Sequence, residues 1–152
     1  MRRLLVSGFV LLSVVLAGAV ALGQRPQPTV VEVFKTPTCG CCTLWVEHLK
    51  ANGFTTTVTD LTDLSPVKAR HQVPGELQSC HTAVVDGYVV EGHVPAGDIQ
   101  QLLKTRPDVA GLAVPGMPSG SPGMEAGGRV DPYDVVTFTK DGKTAVFASY
   151  PR

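Results

Sequence analysis

Short β-branched apolar runs alternate along this chain with stretches whose apolar residues recur three and four positions apart. Val30-Val31-Glu32-Val33-Phe34 is β-branched and aromatic and suits a buried strand. Cys42, Trp45, Val46 and Leu49 then recur at i, i+3, i+4 and i+7, one face of an amphipathic helix running from Cys41 or Cys42 to about Ala51. Asn52-Gly53 stops that helix, because both residues tolerate a left-handed cap. Phe54 to Thr59, rich in threonine, reads as a second strand. Strand, helix and strand in about thirty residues form a βαβ unit, whose strands should be parallel.

Ser65 as N-cap with Pro66 at the first helical position marks a short helix, ended by Val73-Pro74-Gly75. A loop from Glu76 to Ser79 leads to Cys80-His81. Thr82 to Val85, the turn Asp86-Gly87 and Tyr88 to Val90 read as a hairpin. Pro95 to Lys104 has helical spacing, with Ile99, Leu102 and Leu103 facing inward and Pro107 beyond its end. From Ala110 to Asp131 glycine, proline, serine and methionine dominate, and Gly111 to Glu125 is expected to hold no regular element. Tyr133 to Thr139, Asp141-Gly142 and Thr144 to Ser149 form a closing hairpin. The order βαβ, helix, β-hairpin, helix predicts an α/β, thioredoxin-like fold: a central mixed β-sheet flanked by helices, with a C-terminal β-hairpin. Neither an internal repeat nor a second domain is evident.

The N-terminus changes the picture of where this domain works. Met1-Arg2-Arg3 precedes an apolar run from Leu4 to Leu22, with small residues around Ala19-Val20-Ala21. That pattern is a secretory signal peptide over residues 1–23, cleaved near Ala21 or Gly23, with an uncleaved membrane anchor as the competing reading. The domain itself is then residues 24–152, enough for one core of its own. The full chain balances thirteen basic against thirteen acidic residues, and loss of Arg2 and Arg3 leaves eleven against thirteen, a net charge of −2. Such a charge gives no reason to expect nucleic acid or an anionic membrane surface as a partner.

Three of the four cysteines lie between Cys39 and Cys42, where the first strand ends and the first helix begins. A helix start presents unpaired N–H groups and the positive end of the macrodipole, and both favour thiolate over thiol. Structural bridges alone are a poor account: adjacent Cys41 and Cys42 make strained partners, and three thiols in one turn with one distant do not make two independent staples. Cys39-x-x-Cys42 at the end of the first strand of this topology points to a redox pair, with Cys39 attacking and Cys42 resolving. No serine triad, paired acidic catalyst or phosphate-binding glycine loop is evident.

Taken together, several motifs resemble one family, the small exported metal-binding proteins that include the periplasmic copper-resistance protein CopG. The matching residues are Thr38-Cys39-Gly40-Cys41-Cys42 with Trp45, Ser79-Cys80-His81-Thr82-Ala83, Val90-Glu91-Gly92-His93-Val94-Pro95, and Gly111 to Pro118 continuing through Gly123-Met124-Glu125. They span roughly Val31 to Glu125. The resemblance implies a thioredoxin-like fold, copper as the ligand, a periplasmic location (free or anchored to the inner membrane), and a part in copper resistance or redox handling. It implies nothing for the terminal hairpin.

Beside that resemblance, the extra sulfur of Cys41, not required by a redox pair, favours metal binding over pure disulfide exchange. Thiolates are soft ligands that favour Cu(I), and Zn(II) accepts them too, so a structural zinc module is a further alternative. Cys80 sits on the loop that faces the CxxC in thioredoxin-like folds and can complete a four-sulfur group, with His81 supplying an imidazole or a supporting hydrogen bond. Thioredoxins carry a cis-proline at that loop; here the nearest proline is Pro74, well upstream, which leaves the loop free for ligands. His93 stands evenly between a surface or capping role and a ligand role. Met117 and Met124 bring thioethers that can cap Cu(I) or simply pin the glycine/proline loop. Trp45 is expected in the core beneath the site, and His48 and His71 on solvated helix surfaces. The expected metal ligands are therefore Cys39, Cys41, Cys42, Cys80, His81, His93, Met117 and Met124. They hold Cu(I), as a single ion or a multinuclear cluster, for exchange with other envelope copper-handling proteins; the membrane is a partner only if the signal is uncleaved.

Overall fold

A computed structural model describes residues 28–151. The expected signal or anchor falls outside these residues. Among the described residues no helix is long and apolar enough to cross a membrane.

The chain forms β1 (Val30–Lys35), α1 (Gly40–Ala51), β2 (Thr55–Asp60), α2 (Ser65–Arg70), β3 (His81–Val85), β4 (Tyr88–Glu91), α3 (Ala96–Thr105), β5 (Gly111–Ala113), β6 (Tyr133–Phe138) and β7 (Thr144–Tyr150). The seven strands make one mixed sheet in the order β2-β1-β3-β4-β5-β6-β7. β1 runs parallel to β2 and β4 to β5, while the pairs β1/β3, β3/β4, β5/β6 and β6/β7 are antiparallel. Parallel β1 and β2 follow from the helix between them, since only a crossover returns a strand in the same direction.

Two apolar clusters divide the molecule. The larger joins Trp45, Val46 and Leu49 of α1 and Ile99 and Leu102 of α3 to Val31, Val33, Ala83, Val85, Val90 and Leu112 of the sheet. The smaller gathers Val73, Leu77, Val89, Ala113 and Phe138. Neighbours Val89 and Val90, and Leu112 and Ala113, fall into different clusters because successive side chains of a strand point to opposite faces. The same alternation leaves β1 buried on one side only, with Val31 and Val33 inaccessible and Glu32 exposed.

Three local features depart from expectation. Gly111–Ala113, read from sequence as irregular, is a strand lodged between β4 and β6. Its three residues are too few for a periodic signal, and its partners are distant in sequence. Ser65 is not the cap of α2: Leu64 occupies that position, and the Asp63 carboxylate accepts the Ser65 N–H at 2.9 Å. The third is His48, whose Nε2 accepts the Ala96 N–H at 3.0 Å at the start of α3. It is half-buried there, bracing α1 against α3 where a solvated side chain was expected. The closing hairpin forms as expected and extends the sheet, its last strand tied to α3 by a 2.7 Å hydrogen bond from the Tyr150 hydroxyl to Asp98.

Glycine is required at position 111 by contact with the neighbouring strand. A Cβ there would stand 1.9 Å from the Val89 carbonyl oxygen, a backbone atom that cannot swing away. Gly111→Ala is expected to destabilise the fold by about 3 kcal/mol through strand displacement, measured as a lowered urea midpoint at unchanged slope.

Candidate metal centre

The site begins where β1 gives way to α1. Cys39 N–H donates to the Thr36 carbonyl at 3.1 Å, closing a turn, and the Cys39 side chain caps α1 by accepting the Cys42 N–H at 3.3 Å. A sulfur atom therefore takes the place usually held by a hydroxyl or carboxylate at the positive end of the helix. Cys42 is completely buried beside Trp45, on the helix face set by the apolar spacing. Cys41, the next residue back around the helix, stays partly accessible, and its sulfur lies 3.6 Å from that of Cys39.

The strand register delivers the fourth sulfur. Lys35 at the end of β1 pairs with His81 at the start of β3, so Cys80, just before β3, arrives beside the turn that follows β1. The four sulfurs of Cys39, Cys41, Cys42 and Cys80 all lie within 4.8 Å of one another. Cys39 and Cys42 are joined as a disulfide, and Cys41 and Cys80 are free thiols. A set of four thiol donors exists only once that bond is reduced.

Two imidazoles flank Cys80. Its sulfur is 3.4 Å from His81 Nδ1 and 3.1 Å from His93 Nε2, and the three residues form a second group of donors within 4.8 Å of one another. His93 Nδ1 lies 2.8 Å from the Pro122 carbonyl, which can only accept, so the ring proton belongs on Nδ1. That leaves the Nε2 lone pair aimed at the Cys80 sulfur, an orientation common in metal-binding histidines. His81 is fully buried, its ring 4.3 Å from Trp45 and edge-on to His93 at 5.0 Å. Its Nε2 is buried and finds no hydrogen-bond partner among the described residues. Trp45 is itself held by its indole N–H donating to the Val94 carbonyl at 2.8 Å.

Burial governs protonation here. It pushes the Cys80 thiol up to about 11, with Cys41 as a second cause. Desolvation holds His93 below its ordinary value and holds His81 well below, where repulsion between the two rings, if both were charged, and the charge of Lys68 act in the same direction. Both rings are thus neutral, the state in which an imidazole binds metal. Four sulfurs and two neutral imidazoles are a soft donor set that fits Cu(I) and also accepts Zn(II).

The glycine/proline loop closes over α1. Gly123 has φ near +86°, and a Cβ on it would come within 2.8 Å of Cys41 and Trp45 backbone atoms. Next to it, Pro122 orients His93. Met124 is partly buried in this loop, whereas Met117 is 54 % exposed in a shallow cleft with Pro115, Pro118 and Tyr133. The structure thus brings Cys39, Cys41, Cys42, Cys80, His81 and His93 together and leaves Met117 at the surface. His71 lines a separate, polar surface cleft with Arg70 and Lys140.

Sequence reasoning passed over the Pro122 carbonyl, and it passed over a buried polar cluster behind Cys80. Glu91, fully buried, accepts from the Ser79 N–H at 2.7 Å and the Thr82 hydroxyl at 2.7 Å and pairs with buried Lys68. The only signal for Glu91 was its presence in the Glu91-Gly92-His93 motif; nothing local marks Lys68.

The comparisons with known proteins bear on what this geometry serves. The family model for a protein of unknown function, DUF411, matches residues 77–124, the span from before Cys80 into the glycine/proline loop. Two solved structures of a copper resistance protein, CopG, in forms 1 and 2, are each 52 % identical to this chain with a TM-score of 0.78. Form 1 covers 83 % and form 2 covers 82 % of this chain, and this chain covers all of both. The chain belongs to the CopG copper-resistance family. No protein of curated function matches it. CopG relatives are thus copper resistance proteins, and the cysteine cluster of this member is placed to take up a metal.

The neutral, buried imidazoles make stability pH-dependent. His48, His81 and His93 all sit below the ordinary value of 6.5, so the unfolded chain binds protons that the folded chain refuses. Stability is expected to fall as pH drops from 7.5 to 5.5, by on the order of 1–2 kcal/mol, read from urea midpoints of the metal-free protein. Glu91 and Asp98, raised by burial, act in the opposite sense from their raised folded values down to their ordinary values of 4.5 and 3.8, and so offset part of this loss wherever the two windows overlap. A midpoint that does not move would contradict a net loss of proton affinity at these rings on folding.

Proposed function

We propose that this CopG-family member is an exported, thioredoxin-like protein that binds Cu(I) as cargo in copper resistance. The observation that carries the reading is the convergence of four cysteine sulfurs within 4.8 Å, with the His93 Nε2 lone pair turned onto one of them. Thiolate and imidazole are the donors Cu(I) prefers, and a space shared by four sulfurs suits one ion or a small thiolate-bridged cluster. Zinc is the competing metal on donor chemistry alone; the copper-resistance relatives favour copper. Cys39, Cys41, Cys42 and Cys80 are the proposed core ligands, with His93 and His81 beside them. Met124 in the covering loop and exposed Met117 are candidates for accepting or releasing the ion. The thioredoxin-like assignment is supported by the order β2-β1-β3-β4, a first helix beginning at the cysteines, and Cys39-x-x-Cys42 at the end of β1. The periplasm is the proposed location, on the basic and apolar N-terminal pattern, with envelope copper proteins as exchange partners.

The Cys39–Cys42 disulfide favours one second reading, a thiol–disulfide oxidoreductase. In that chemistry a reductant's thiolate attacks one sulfur of the bond, and the reduced pair passes its two electrons to a substrate disulfide. The pair also links the two readings, because its oxidation withdraws two of the four sulfurs from copper.

Anaerobic titration of the reduced mature domain with Cu(I), in competition with a chelator, separates these possibilities. Tight binding is expected, weakened by at least about tenfold in Cys41→Ser and similarly in Cys80→Ser. Absence of binding would refute the copper reading. Binding indifferent to Cys41, together with reduction of insulin disulfides, would replace it with the oxidoreductase. The air-oxidised protein, retaining the Cys39–Cys42 bond, is expected to bind Cu(I) far more weakly than the reduced form.

A further inference from the structure

The buried cluster on the opposite face of the sheet has no part in either chemistry, yet it brackets the site. Glu91 ends β4 with its side chain wholly inaccessible. One carboxylate oxygen accepts the Ser79 N–H at 2.7 Å and the Lys68 ammonium; the other accepts the Thr82 hydroxyl at 2.7 Å. Lys68, 7 % exposed on α2, also donates to the Thr82 hydroxyl oxygen at 3.0 Å. Ser79 and Thr82 are the residues on either side of Cys80-His81. A single carboxylate therefore grips both ends of the two-residue segment that brings a sulfur and an imidazole to the site. Two further contacts tighten the same grip: Gly92 N–H donates to the His81 carbonyl at 3.1 Å, and a Cβ on Gly92 would meet the Ser79 side chain at 2.8 Å. His93, whose Nε2 faces the Cys80 sulfur, follows two residues after Glu91 in the chain.

A buried ion pair is a poor means of gaining stability, since desolvation offsets most of its Coulomb energy. Holding one arrangement against others is a better account of its retention beside a loop that must present two donors.

We infer that Glu91 and Lys68 are positioning residues, which through Ser79 and Thr82 hold Cys80 and His81 in register with His93. The inference deepens the copper reading and rests on it for its effect on affinity, but the position of Cys80 can be read without copper.

Two double variants test it, each removing the ion pair as a unit so that no lone charge stays buried. Lys68→Met/Glu91→Gln keeps an amide oxygen for the Ser79 N–H, whereas Lys68→Met/Glu91→Leu abolishes the clamp. In the reduced, metal-free protein, the rate at which iodoacetamide alkylates Cys80 is followed by mass spectrometry, with Cys41 as internal reference. Cu(I) affinity is measured on the same samples. The leucine pair is expected to show Cys80 alkylation accelerated, and Cu(I) affinity lowered, by about tenfold or more, as for other residues that orient ligands from behind. The glutamine pair should restore both to within about threefold of wild type. Wild-type alkylation and affinity in the leucine pair would overturn the inference, as would an equal defect in both pairs. If the leucine pair does not fold, Thr82→Val cuts one arm alone and should still accelerate Cys80 alkylation; an unchanged rate overturns the inference. Failure of the wild type to bind Cu(I), with Cys80 alkylation still accelerated in the leucine pair, would remove the copper reading and leave the positioning role standing.

Discussion

The centre depends first on the register of two antiparallel ladders. Lys35 opposite His81 fixes where the chain leaves β1 relative to where it enters β3, and so places Cys80 against the turn that carries Cys39. Thr82 opposite Glu91 then fixes where β4 ends, and His93 follows two residues later. A slip of one residue in either ladder would turn His81 or its partners to the opposite face, because the side-chain period of a strand is two. The donor set is in this sense a property of backbone hydrogen bonds, decorated with sulfur and nitrogen.

Burial does the remaining chemical work. Apolar residues of α1, α3 and the sheet surround one face, with Trp45 beneath His81 and the loop at Gly123 laid against α1. Removing water keeps both imidazoles neutral and keeps Cys80 protonated until something replaces its proton. A soft cation is such a replacement, and its charge would favour the thiolates that burial otherwise disfavours. The partly accessible Cys39 and Cys41 give the site its way in, while Cys42 and His81 close it from below.

The two faces of the sheet divide the labour near Cys80. On one face lie Trp45 and His81; on the other lie Lys68, Thr82 and Glu91, whose polar atoms satisfy one another away from water. A fully connected polar cluster rigidifies what it holds, whereas one left partly satisfied would be costly. Under the proposed copper reading such rigidity has a use, since a site for copper needs donors at set distances even when no ion is present to gather them.

Much of this protein was legible in its sequence. Val31, Val33, Trp45, Val46, Leu49, Ile99 and Leu102 occur at strand or helix spacing, and burial follows that spacing directly. Asn52-Gly53, Asp86-Gly87 and Asp141-Gly142 marked chain reversals through local backbone chemistry. Three cysteines at a strand-to-helix junction announced sulfur chemistry for the same local reason. What sequence could not contain was any fact that depends on residues far apart meeting. Gly111–Ala113 became a strand because β4 and β6 supply its hydrogen bonds, and His48 left solvent because α3 begins beside it. His93 acquired one tautomer from a carbonyl twenty-nine residues away, and Lys68 found Glu91 across twenty-three. Periodicity and turn chemistry act over a few residues and can be read along the chain. The partner of a buried polar atom is chosen by the packing of the whole.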